Sequence, residues 1–163
     1  MFGKYRALVV DIEDPENRGR VKVNCPKAYG DYVSPWCLPC TPFALDNGGF
    51  YQVPSLDEMV WIEFEEGDTN FPILVGSLWQ ESSRPEEVTS DEIDKHVIIK
   101  TKEGNIIDIC DAEGNKYIEI KDSVGSTIKF DSEKGDIIIT AINDLITVAG
   151  NKHISNGSQV HHN

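Results

Sequence analysis

Long apolar runs are missing from this sequence. Stretches such as Ile137-Ile138-Ile139 fall far below the roughly 18 residues of a membrane-spanning helix. Met1-Phe2-Gly3-Lys4 does not begin like a secretory signal. The expectation is therefore a chain without signal peptide or transmembrane segment, made and folded in a cytoplasm. Basic charge is also scarce: 15 Lys and Arg face 28 Asp and Glu, leaving −13. The deficit is even along the chain, with 7 basic and 13 acidic residues through Arg84 and 8 against 15 beyond it. Gripping phosphate backbones takes clustered Lys and Arg to displace counterions, so nucleic acid is an unsuitable partner, and anionic membrane surfaces are disfavoured for the same reason. Only four cysteines occur, Cys25, Cys37, Cys40 and Cys110, and without a signal segment they read as free thiols. What is present is an ordinary globular composition, 39% hydrophobic and 26% charged, in 163 residues. That is one domain or two small ones.

One cysteine pair tests the enzyme reading. Trp36-Cys37-Leu38-Pro39-Cys40 has the spacing of a thiol-disulfide oxidoreductase, whose first Cys needs a helix N-terminus to lower its pKa. Pro35 and Pro42 flank the motif, and Phe43-Ala44-Leu45-Asp46-Asn47-Gly48-Gly49 reaches a turn before a helix could form. A strand is expected there, not a redox site. Zinc is not indicated, because Cys25 and Cys110 form no second close pair and no histidine lies at ligand spacing near them.

Two regions and a connector are legible. In residues 1–80, Tyr5–Ile12 and Gly19–Cys25 alternate with period two around the turn-forming Asp14-Pro15-Glu16-Asn17. Further strands are expected at Trp36–Cys40, around Phe50–Val53, at Glu58–Glu65 and at Pro72–Trp79, with Glu66-Gly67-Asp68 as a turn. Five or six short strands without helical periodicity fit a small closed barrel of the OB kind. Residues 81–95 are polar and carry Pro85, the composition of a linker.

Residues 96–163 open on a repeat. Aligning Ile107, Ile118, Ile128, Ile137 and Ile146 gives steps of 11, 10, 9 and 9, with Glu103-Gly104, Glu113-Gly114, Val124-Gly125 and Lys134-Gly135 as turns. A ribbon of such strands has one apolar face and too little mass to cover it, and no helix or second sheet follows. The missing partners are then other copies. A three-fold assembly would put on its axis Ile98 of the first unit, Ile107 and Ile109 of the second and Ile118 and Ile120 of the third. Ile128 and Phe130, Ile137 and Ile139, and Ile146 and Val148 would continue the core, with Lys, Glu and Asp facing solvent. The alternative is a small antiparallel meander packed on the barrel of a single monomer.

Pro15-Glu16-Asn17-Arg18-Gly19-Arg20-Val21-Lys22-Val23, then Ser34-Pro35-Trp36, then Val53–Asp68 and Phe71–Trp79 follow one another in an order that resembles the OB barrel of central spike proteins. These are the baseplate spikes of contractile-tailed phages and the valine-glycine-repeat spikes of type VI secretion. The resemblance implies an all-β chain: an N-terminal OB-fold barrel, then a C-terminal intertwined trimeric β-helix or β-prism needle. It implies a non-enzymatic homotrimer in a virion tail baseplate or equivalent injection particle. Its partners would be a trimeric baseplate hub and, during injection, the target cell envelope. Some such spikes hold a lysozyme domain between barrel and needle, for which residues 81–95 leave no room.

The tip is the variable part of the family. Some spikes end in alternating histidines that hold an axial iron; others carry a separate PAAR-type cone. Here His161 and His162 are adjacent, so in a strand they point to opposite faces and only one per chain reaches the axis. Gln159, His161, His162 and Asn163 are accordingly expected to contact a PAAR-type tip protein. No cofactor is expected, with an axial iron or zinc on His161 or His162 as the alternative. His96 and His153 are read as surface or layer residues, and Trp36, Trp61 and Trp79 as core or rim packing. Glu63 and Glu65, two apart on one strand, face solvent rather than a cleft. Two rival functions stay open: an OB module binding carbohydrate or single strands, which would need exposed aromatics flanked by basic residues, and the CxxC oxidoreductase.

Overall fold

A computed structural model describes residues 1–81, 83–152 and 154, and the chain divides into two units, Met1–Arg84 and Pro85–Asn163. The first is built on β1 (Tyr5–Asp11), β2 (Lys22–Asn24), β3 (Leu38–Pro39), β6 (Met59–Phe64) and β7 (Pro72–Ser77), in the sheet order β2-β1-β6-β7-β3. Only the β3–β7 pairing is parallel. The outer strands meet where Val21 and Cys37 exchange both backbone hydrogen bonds, at 2.8 and 3.4 Å, which closes the sheet on itself as in an OB barrel.

Alternation explains the core. In β1 every second residue, Ala7 and Val9, points inward, and in β6 the inward set is Val60, Ile62 and Phe64. Val21, Val23, Cys25, Cys37 and Leu74 complete the interior. Strands this short must bend sharply to close a small barrel. Register shifts between Val9 and Asp11 and between Trp61 and Ile62 supply the bends.

The Phe50–Val53 strand does not form. A two-stranded hairpin precedes it instead, β4 (Ala44–Leu45) with β5 (Gly48–Gly49), because Asp46-Asn47, the latter at φ 57°, makes the turn earlier. A single helical turn, α1 (Pro26–Tyr29), also escaped the strand pattern.

The loop from β1 to β2 is organised by one carboxylate. Asp14 accepts the backbone N–H of Glu16, Arg18 and Arg20 at 3.0, 2.8 and 3.2 Å, and its Oδ1 accepts Arg20 Nε and Nη2 at 2.9 and 2.6 Å. The Arg20 guanidinium, followed by the backbone donors, holds the Asp14 carboxyl well below the usual range. Gly19 takes φ 72°, the left-handed region that favours glycine, and a Cβ there would crowd the Tyr51 ring at 3.0 Å.

The second unit is a five-stranded antiparallel meander: β8 (His96–Lys100), β9 (Ile106–Ala112), β10 (Asn115–Lys121), β11 (Thr127–Asp131) and β12 (Asp136–Thr140). The glycines at its turns, Gly104, Gly114, Gly125 and Gly135, all take positive φ, as tight strand reversals require. The sixth repeat, Leu145–Ala149, forms no strand within the single chain, and Ile146 and Val148 are 79% and 89% exposed. Residues 85–95 fold with this unit.

Candidate assembly interface

Register in the meander brings the apolar residues into two columns. One runs Val97, Ile109, Ile118, Phe130, Ile137 across all five strands; the other runs Ile99, Ile107, Ile120, Ile128, Ile139. These ten side chains share one face because each pairs directly with the next across the ladder. Each is between 38% and 67% exposed. Complete burial of such a side chain stabilises by about 1.5–3 kcal/mol, so covering the exposed half of ten is worth roughly 10 kcal/mol per chain. A contiguous apolar stripe of this kind on one sheet face marks a contact surface.

Ile98 does not belong to it. It pairs with Asp108 and lies on the opposite face, while Val97 and Ile99 take the place it was expected to fill. Three successive apolar residues cannot show which parity faces the core; pairing of Ile99 with Ile107 decides it.

That opposite face carries a polar cluster that the strand pattern did not announce. His96, read as a surface or layer residue, has a side chain only 3% exposed. Its Nδ1 lies 3.0 and 3.3 Å from the two Asp108 carboxylate oxygens, and Tyr117 Oη donates to Asp108 Oδ2 at 2.8 Å. Cys110 Sγ is 3.6 Å from His96 Nε2. Burial, then the Asp108 bond, pushes the Tyr117 hydroxyl above its ordinary pKa. The signal in the sequence is Asp108 itself, a carboxylate at an inward position between Ile106 and Cys110. Among the described residues no group of three His, Cys, Asp or Glu is placed to hold a metal ion.

The barrel shows what its singled-out residues do. Cys37 is buried at the closing seam on extended backbone, and burial pushes its thiol up to about 11, so no thiolate is available near neutrality. Cys40 is exposed and all four cysteines are free. The Trp36 ring lies beneath Arg20 and Lys22, at 5.5 and 4.5 Å, and the Trp61 ring beneath Arg6 at 5.3 Å. Trp79, expected to pack, is 74% exposed. The cations over Trp36 are already engaged: Arg20 with Asp14 and Glu16, Lys22 with Asp11 at 3.3 Å. An aromatic platform whose cations are so paired is a poor site for a nucleic-acid strand. Glu63 pairs with Lys4 at 2.6 Å, and Glu65 leaves the strand for a 3₁₀ turn, Glu65–Gly67, so the two do not act as a carboxylate pair on one strand. Gln159, His161, His162 and Asn163 lie outside the described residues, as does His153.

The chain is thus an OB-like barrel followed by a repeat sheet with one exposed apolar stripe. Residues 5–79, a little under half of the chain, match the family described as the type VI secretion system/phage-baseplate injector OB domain. A search of curated proteins finds no match. The match supports a spike-related structural role in injection baseplates. No helix among the described residues is long and apolar enough to cross a membrane.

Proposed function

We propose that this chain is the central spike subunit of a contractile injection machine and works as a homotrimer. The observation that carries the reading is the ten-residue apolar stripe, uncovered in one chain. Three stripes closed about an axis bury one another, and the same closure gives β8 and β12, the two edges of the meander, a neighbouring chain to pair with. Summed over three chains the gain is about 30 kcal/mol, against an association cost of about 8–30 kcal/mol for the two joining steps. Ile146 and Val148 extend the axial core in the trimer as its sixth layer. The three meanders then form the faces of a β-prism needle, the barrels dock beneath a trimeric hub, and the needle carries contraction force to the cell envelope.

The end of the needle is the contact for a separate PAAR-type cone, made through Gln159, His161, His162 and Asn163. Light scattering should give a particle of three chains, each of 18.2 kDa. A stable monomer at micromolar concentration refutes the trimer. Truncation after Gly157 should abolish cone binding and leave the trimer intact; cone binding by the truncated chain refutes the tip assignment.

A further inference from the structure

Residues 86–95 have the composition of a connector, yet they are tied to the sheet at three places. Glu87 Oε1 accepts Lys100 Nζ at 2.6 Å, with Glu86 at 3.4 Å. The Asp111 backbone N–H donates to Lys95 O at 2.8 Å. Glu92 Oε2 stands 3.7 Å from His96 Nε2 and is positioned by the Thr89 hydroxyl at 3.1 Å. The segment therefore lies over the face that carries the buried cluster.

His96 has two ways to be satisfied. Asp108 is an acceptor, so Nδ1–H donates to it in either charge state. Nε2 is different: protonated it faces the Glu92 carboxylate, and neutral it accepts the Cys110 thiol proton. We propose that residues 86–95 are a strap latched on the back of the meander through His96, held by Glu92 while the imidazole is protonated and released when Nε2 turns to Cys110. The groups that face His96 are Glu92 from the strap, Asp108 and Cys110 from β9, and Tyr117 from β10. Beyond Tyr117 stand Glu119 and Lys129, whose ammonium lies 4.3 Å over the ring. Burial opposes the charge on His96, but Asp108 and then Glu92 outweigh it and raise the imidazole above its ordinary value. A raised histidine contributes fully below its unfolded value and loses its contribution as pH rises through the folded one, so the strap opens toward alkaline pH.

The test uses the full chain. NMR of the His96 imidazole gives its midpoint in the wild type, Glu92→Gln and Cys110→Ala. Hydrogen exchange of residues 89–95, corrected for the intrinsic pH dependence, reports strap closure across that midpoint. The wild type should lose protection roughly two- to fivefold on crossing it, the size expected of a part-exposed ion pair. Glu92→Gln should lower the midpoint and remove that step. Cys110→Ala deprives the neutral form of its donor and should raise the midpoint. Protection that stays constant through the midpoint, or an unchanged step in Glu92→Gln, overturns the proposal.

Discussion

Replacing Ile118 by Asp tests the assembly interface most directly. Ile118 stands mid-column between Ile109 and Phe130 and is 43% exposed in one chain. Within the isolated meander the change costs little, since the carboxylate can reach water on that face. In the trimer each chain loses about 1 kcal/mol of apolar burial, and each also brings a carboxylate to the axis at an effective penalty of several kcal/mol per ion. Over three chains this amounts to on the order of 10 kcal/mol, or about seven decades in the assembly constant. Light scattering across a concentration series should show the variant as single chains, with the β-sheet signal in circular dichroism retained. Lys121→Gln changes charge by the same single unit on the opposite face and should assemble normally. A trimeric Ile118→Asp, or loss of assembly in both variants, would refute the facing of the stripe.

Two further outcomes concern the barrel. Alkylation near pH 8 should label Cys40 rapidly and leave Cys25, Cys37 and Cys110 protected until unfolding; mass spectrometry of the labelled peptides reads this, and replacing Cys37 and Cys40 by Ala should leave assembly intact. Asp14→Asn should lower the melting temperature of the barrel at neutral pH and flatten its acid dependence. A carboxylate whose folded pKa is depressed contributes above its unfolded value, near 4, and that contribution disappears as pH falls further. An acid melting profile identical to the wild type would show that the Arg20 pair does not organise the loop.

How much of this was legible in the sequence depends on how local each cause is. Turn chemistry is local, so Asp14-Pro15-Glu16-Asn17 and the four X-Gly reversals of the repeat stood out in advance. Period-two alternation is also local, and it marked the strands expected at Tyr5–Ile12 and Glu58–Glu65, which form as Tyr5–Asp11 and Met59–Phe64. Even the failure of the CxxC motif could be argued from its flanking prolines, before burial of Cys37 gave the physical reason.

Parity was not local. Val97-Ile98-Ile99 and Ile137-Ile138-Ile139 offer apolar residues to both faces, and only pairing with Ile107, Ile109, Ile128 and Phe130 chooses between them. The buried cluster was equally out of reach. His96, Asp108 and Tyr117 come from three strands, and a histidine in a polar stretch has no sequence mark of burial until a carboxylate twelve residues away is folded against it. Most strands, and the turns at Asp14-Pro15-Glu16-Asn17 and at the four glycines of the repeat, were thus set by the order of the residues. Which side of the sheet seeks that partner, and which side holds its charges, was decided by cross-strand register, because a shift of one residue exchanges every side chain between the two faces.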